Sequence, residues 1–203
     1  LSRTQGVSSS DLRKEKRSLR LGLVGESEIL KKVANESQYV NGMQVSGIYT
    51  EDEKSVRDFL SDIHMYETYD KLLENSDAVY IISSPQRHYH DIRYALEQGK
   101  HVLCESPITL SEAQCKELFI IARENHCVLM DAIKTAYATA YHRMLLLVKT
   151  GIIGNPRSID ATCTSIRSVD MSDPKAMERS WNSISAWGPT ALLPVLQIFG
   201  TDY

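Results

Sequence analysis

The sequence predicts an α/β fold: a Rossmann-like, doubly wound parallel sheet, followed by an incomplete α+β second domain. Three observations predict it. Short apolar runs alternate with stretches of helical spacing from Leu19 onward, and strands that alternate with helices form a parallel sheet covered on both faces. The run Gln98-Gly99-Lys100-His101-Val102-Leu103-Cys104-Glu105-Ser106-Pro107 reads as a helix end, a glycine stop, a buried strand and a carboxylate on a proline turn. Glu105 then stands at the carboxyl end of a strand, where open α/β sheets bind their ligands.

Taken in order, the chain begins with a polar stretch, Leu1–Leu12, that runs into the charged Arg13-Lys14-Glu15-Lys16-Arg17. Residues 1–18 therefore read as a linker or the tail of a preceding domain. Strand-like runs follow at Leu19–Val24, Met43–Tyr49, Ala78–Ile82, His101–Cys104 and Cys127–Met130. The helix near Ser111–Asn125 opens on Ser111-x-x-Gln114, a capping-box pattern, and Ala113, Leu118, Ile121 and Ala122 are its sheet-facing candidates. Ile92, Ala95 and Leu96 play that part in the helix around Asp91–Gln98. Residues 19–134 are the expected Rossmann domain and 135–203 the start of a second, truncated one. In the latter, Arg157–Thr164 reads as a first strand, Ser165–Ser180 as a polar excursion and Ala191–Phe199 as a helix ending at Gly200.

The totals exclude several function classes. The chain has 203 residues, 42% hydrophobic and 24% charged, enough for one large domain or one and a half. A net charge of −3 gives no reason to expect nucleic acid or an anionic membrane as partner. No apolar run approaches a membrane span, and the polar N-terminus does not read as a signal peptide. Cys104, Cys115, Cys127 and Cys163 lack metal-ligand spacing and read as buried, reduced thiols of a cytoplasmic protein. No metal site is expected.

The segment QGKHVLCESP resembles the AGKHVxxEKP signature of the glucose–fructose oxidoreductase / inositol dehydrogenase (Gfo/Idh/MocA) family. The likeness spans about residues 19–165. Tyr66–Leu73 followed by Asp77–Ile81, Ser84-Pro85 followed by His88, and Gly151-Ile152-Ile153-Gly154 after a helix all have counterparts in that family. A second likeness lies at the start: Arg3-Thr4-Gln5-Gly6-Val7-Ser8-Ser9-Ser10 resembles the RTEGISTT signature of glycerol-3-phosphate-type cytidylyltransferases. That resemblance implies nucleotide-binding roles for Arg3, Thr4, Ser8 and Ser9, and a cytidylyltransferase domain earlier in the same polypeptide. Hydroxyls and one arginine at a helix start suit a triphosphate. An ordinary Ser-rich linker is the competing reading.

The oxidoreductase resemblance implies an NAD or NADP site, with Gly22, Gly25, Ser27, Thr50, Glu51, Ser84, Pro85 and Glu105 as its candidates. A dinucleotide turn needs Gly-x-Gly-x-x-Gly for the tight turn, the approach to the pyrophosphate and the packing of helix on strand. Here the turn is Gly25-Glu26-Ser27-Glu28-Ile29-Leu30, with only the first glycine in place. Glu26 and Glu28 add negative charge, and one carboxylate about 6 Å from a phosphate costs roughly 2–3 kcal/mol at an effective dielectric near 20. The ribose-binding acid falls on Thr50, or on Glu51 one residue later, and no arginine adjoins it in sequence. Thr50 can bond a hydroxyl but lacks the bidentate preference of a carboxylate for a diol.

The family's catalytic lysine falls on Ser106, which has no proton to exchange near neutral pH. Its Asp and His fall on Pro194 and Ile198. Lys134, after the fifth strand, and His88, after the third, are the substitute candidates. His101 and His142 read as packed and surface histidines, and Tyr137, Tyr141, Trp181 and Trp187 as packing aromatics. The leading reading is an oxidoreductase-like domain with decayed cofactor and catalytic motifs, binding or regulatory within a longer cytidylyltransferase-fused protein. An active NAD(P)-dependent sugar or polyol dehydrogenase and a domain kept for homo-oligomeric assembly stand as its rivals.

Overall fold

The computed structural model describes residues 18–53, 56, 63–164, 172 and 183–201. Its strands are β1 (Leu19–Gly25), β2 (Met43–Tyr49), β3 (Ala78–Ile82), β4 (His101–Cys104) and β5 (Leu129–Asp131). All pair in parallel, in the order β2-β1-β3-β4-β5. Outside β2, Met65 makes a single parallel bridge to Ile48, in the place of a further strand. The helices are α1 (Ile29–Ser37), α2 (Tyr69–Glu74), α3 (His88–Glu97), α4 (Glu112–Glu124), α5 (Lys134–Tyr137), α6 (Thr139–Lys149) and α7 (Ser183–Phe199).

Strand alternation builds two cores. One face of the sheet sends Val79, Ile81, Val102 and Cys104 against Leu72, Ile92, Leu96 and Leu118 of the helices. The other sends Leu21, Leu23, Ile48 and Tyr80 against Leu30 and Ala34 of α1. Leu23, Leu30, Ile48, Ile81 and Leu96 are wholly buried, and full burial of such a side chain stabilises by about 1.5–3 kcal/mol. β3 is buried along its whole length, as expected of a parallel strand covered on both faces. Gly22 is part of this packing. A Cβ there would come 2.6 Å from Ser76 Oγ, in a seam where Ser76 and Ser46 hydroxyls lie 2.7 Å apart.

Local signals act as read for several elements. Gly99 ends α3 at φ 70°, with its N–H on Leu96 O and that of Lys100 on Ala95 O, the left-handed helix stop glycine permits. Ile92, Ala95 and Leu96 are fully buried. Ser111 caps α4, its Oγ accepting from Gln114 N at 3.5 Å. The capping box is only half made, because Ser111 N–H goes to Thr109 Oγ1 at 2.9 Å.

Other expectations are corrected. Ala113 is exposed, since at 3.6 residues per turn it lies about 140° round the helix from Leu118 and about 180° from Ala122. Residues 156–164 form no ladder with any described residue, and a strand exists only by pairing. The last strand starts at Leu129, not Cys127. α7 begins at Ser183, before its expected start at Ala191, and passes through Pro189 and Pro194. Each proline removes a backbone donor, and contacts with α5 and α6, including Tyr141 Oη to Gln197 Oε1 at 2.6 Å, hold the helix. Only Cys104 of the four free cysteines is buried; Cys115, Cys127 and Cys163 are half-buried. Most of Ser165–Ser180, with Trp181, lies outside the described residues, as do Arg3, Thr4, Ser8 and Ser9. No described helix is long and apolar enough to cross a membrane.

Candidate functional site

Strand order reverses direction at β1: the chain crosses from β1 to β2 on one side and to β3 on the other. The carboxyl ends at such a switch point form the ligand crevice of an open α/β sheet. Gly25 ends β1 there at φ 124°, in register with Ile82. A Cβ on Gly25 would meet Ile82 O at 2.2 Å, so the close approach of β1 and β3 alone demands glycine. Ser27 lies two residues before α1, its Oγ accepting from Ile29 N at 3.3 Å. Leu30, where a small residue was expected, is wholly buried in the α1-side core.

At the end of β2, Thr50 is 7% exposed and its hydroxyl is committed. It donates to Glu26 Oε1 at 3.4 Å and accepts from Asp52 N at 3.1 Å. Glu51, 60% exposed, forms an ion pair with Arg87 at 2.5 Å. Arg87, only 27% exposed, holds Asp91 with its other nitrogen at 3.2 Å, and Asp91 takes the Ser83 hydroxyl at 2.7 Å. An arginine therefore does stand beside the ribose position, although none is near it in sequence. β3 lies across β1 from β2, so the loop leaving β3 reaches over the end of β1.

That loop holds Ser84, half-buried, and Pro85, buried, in a turn closed by Arg87 N to Ser84 O at 2.9 Å. His88 is 1% exposed. Its Nδ1 lies 3.1 Å from Pro107 O and its Nε2 3.1 Å from Ser83 O. The ring thus braces the β4–α4 turn against the end of β3, and burial lowers its pKa. Both nitrogens face backbone carbonyls, so the ring acts as a strut.

Glu105 leaves β4 with its carboxylate accepting from Tyr80 Oη at 2.9 Å, and burial beside that carboxylate pushes the Tyr80 phenol upward. Ser106, joined to Pro107 by a cis peptide bond, faces Asp131 at the end of β5, the residue in register with Cys104. Ser106 Oγ and Asp131 Oδ1 are both shut off from solvent without a hydrogen-bond partner. Burial raises the Asp131 carboxyl above its usual range, opposed by the nearby Ser106 hydroxyl and the backbone at Ile108 and Ile133. Lys134 is exposed and opens α5. His101 Nδ1 accepts from Val128 N at 3.0 Å, and His142 is exposed on α6. Among the described residues no cluster of metal-ligating side chains occurs.

The model of the oxidoreductase family with an NAD-binding Rossmann fold, Gfo/Idh/MocA, matches residues 19–132, more than half of the chain. The chain belongs to the Gfo/Idh/MocA family. It is 36% identical over 100 residues to dTDP-3,4-didehydro-2,6-dideoxy-alpha-D-glucose 3-reductase of Actinomadura kijaniata, covering 48% of this chain and 30% of that protein. It is 26% identical over 124 residues to scyllo-inositol 2-dehydrogenase (NADP(+)) of Bacillus subtilis, covering 59% and 38%. Among solved structures, a variant of a 3-ketoreductase from Actinomadura kijaniata, in complex with TDP-benzene and NADP, superposes with a TM-score of 0.61. Its identity is 28%, over 69% of this chain and 46% of that one. The chain thus spans less than half the length of these relatives.

Against the Gfo/Idh/MocA frame, sequence reading missed two residues. Arg87 was hidden because only the strand order brings it to Glu51. Asp131 carried one signal, a carboxylate ending the last apolar strand run, as Glu105 follows the run before it. The site gathers Gly25, Ser27, Thr50, Glu51, Ser84, Pro85 and Glu105 along the carboxyl ends of β1 to β4. Gly22 stands apart, in the middle of β1.

Proposed function

We propose that this chain is the dinucleotide-binding part of a Gfo/Idh/MocA protein that binds a nicotinamide cofactor without the family's lysine-dependent hydride transfer. The observation that carries this reading is the pair of buried, unpartnered atoms Ser106 Oγ and Asp131 Oδ1 at the lysine position. A serine hydroxyl does not titrate near neutral pH, so Ser106 cannot do the acid–base work of the lysine. Gly25 makes the tight turn that a cofactor site needs at the end of β1, and Ser27 lies just before the helix whose N-terminus would face the pyrophosphate. Thr50, Glu51 and Arg87 would border the adenosine ribose; Ser84, Pro85 and Glu105 would border the rest. A bound dinucleotide supplies a hydride donor or acceptor. The relatives' names point to sugars and polyols as the substrate class of the whole protein.

One observation favours the rival, an active dehydrogenase: the upward-shifted Asp131 carboxyl beside Ser106 is a displaced acid of suitable chemistry. Calorimetry with NAD+, NADH, NADP+ and NADPH, together with nicotinamide absorbance over a panel of sugars and polyols, separates the readings. We expect micromolar binding and no turnover. Turnover that disappears in Asp131→Asn would establish the rival, and no binding up to millimolar would leave a scaffold only. We extend the proposal to residues 1–12 as the end of a cytidylyltransferase domain in the same cytoplasmic polypeptide, on the likeness of Arg3, Thr4, Ser8 and Ser9. Mass spectrometry of the natural polypeptide decides that point.

A further inference from the structure

We infer that Arg87 is the cofactor-selecting residue of this site and that it selects a nucleotide bearing a 2′-phosphate, NADP(H) over NAD(H). The inference rests on the dinucleotide reading above and deepens it. Its basis is the arrangement at the end of β2. Recognition of an unphosphorylated ribose needs a carboxylate free to take both hydroxyls of the diol. Thr50 offers none, and its hydroxyl is already committed to Glu26 and Asp52. Glu51 is the carboxylate next to Thr50 in the chain, and it is held in the Arg87 ion pair. A diol must break that pair to bind.

A 2′-phosphate meets the opposite situation. Arg87 is anchored from behind by Asp91, itself held by the Ser83 hydroxyl, so the guanidinium keeps its place without Glu51. Glu51 is the exposed partner and can swing into solvent at little cost. A phosphate entering its place brings up to two negative charges where the carboxylate brought one, and its oxygens match the guanidinium fork. Arg87 lies on the loop after β3, across the crevice from the strand whose end supplies Thr50 and Glu51. The negative charge of Glu26, Glu28 and Glu51 around the crevice makes a fixed cation there more necessary for any phosphorylated ligand.

The test uses 2′,5′-ADP and 5′-AMP as probes, titrated into the chain by calorimetry, with NADP+ and NAD+ as the full-length pair. Unaltered protein should bind 2′,5′-ADP at least about ten-fold tighter than 5′-AMP, as a charge-assisted bidentate contact implies. Arg87→Ala should erase that preference, and Arg87→Lys should keep only part of it. Glu51→Gln, which removes the competing carboxylate, should raise 2′,5′-ADP affinity several-fold. Circular dichroism and thermal melting of each variant establish that it folds, and Glu51→Gln keeps the test decisive if Arg87→Ala does not. Equal binding of the two probes, or loss of 2′,5′-ADP binding in Glu51→Gln, would overturn the role of Arg87 alone. Failure of every probe and dinucleotide to bind unaltered protein would overturn the dinucleotide reading and this inference with it.

Discussion

Asp131 shows how a single buried group reports on the site. Its carboxyl is raised by burial, and one oxygen has no partner, so the charged form is held at a cost near neutral pH. A folded pKa above the unfolded one means stability is fullest below the unfolded value and declines as pH rises through the folded one. Asp131→Asn removes the charge and keeps the shape. We expect it to raise the denaturation midpoint at pH 7 by the equivalent of about 1 kcal/mol, with the gain shrinking towards pH 4. Parallel urea titrations at the two pH values check this; a destabilised variant at pH 7 would show that the hydrogen bonds the carboxylate accepts outweigh the cost of its burial. Little of this was legible in the residue itself. An aspartate after an apolar run is also an ordinary turn residue, and only the register of β4 with β5 sets it beside Ser106.

Elements are tied by pairs that sequence spacing does not reveal. Arg20 in β1 and Asp77, just before β3, are 57 positions apart, yet they share a two-pronged contact. Arg20 Nη2 donates to Oδ1 at 2.8 Å and Nε to Oδ2 at 3.2 Å, and Arg20 N–H reaches Oδ2 at 2.9 Å. The guanidinium holds the Asp77 carboxyl down at about 2. A folded value below the unfolded one gives stability that is present above about 3.8 and is lost as pH falls towards 2. Both side chains are about two-fifths exposed, so solvent screening keeps the effect modest. Asp77→Asn should therefore lower the thermal midpoint at pH 6 and leave it close to the unaltered protein's near pH 2; an equal loss at both pH values would remove the electrostatic explanation. Helix and strand identities were legible where periodicity was long, as in α3. They failed at Ala113, on the wrong arc of α4, and at the start of α7, where Pro189 argues locally against a helix that packing against α5 and α6 keeps.

Across the whole molecule, ligand binding and folding are one equilibrium. The crevice exists only when β1, β2 and β3 are in register, so a dinucleotide that binds the folded chain and not the unfolded one must stabilise it. At a concentration one hundred times Kd the gain is about 2.7 kcal/mol. Thermal melts with NADP+ and NAD+ at equal concentration should both shift upward, with the larger shift for NADP+. An unchanged midpoint at saturating concentration would contradict the proposed dinucleotide binding.

The sequence by itself determined the parallel α/β fold, the order of most elements, the glycine stop at Gly99 and the family signature from Gln98 to Pro107. These are local properties: apolar periodicity, backbone permissiveness and short motifs are carried by neighbours along the chain. Its resemblance to the family also set Ser106 where the lysine is expected. Only the tertiary structure decided that Gly25 is required by Ile82, that His88 is a strut between two carbonyls, that Asp131 faces Ser106 and that Arg87 holds Glu51. Each of those depends on elements that the sheet order brings together from distant parts of the chain, and the energies that matter there, steric contact, burial and charge pairing, act through space.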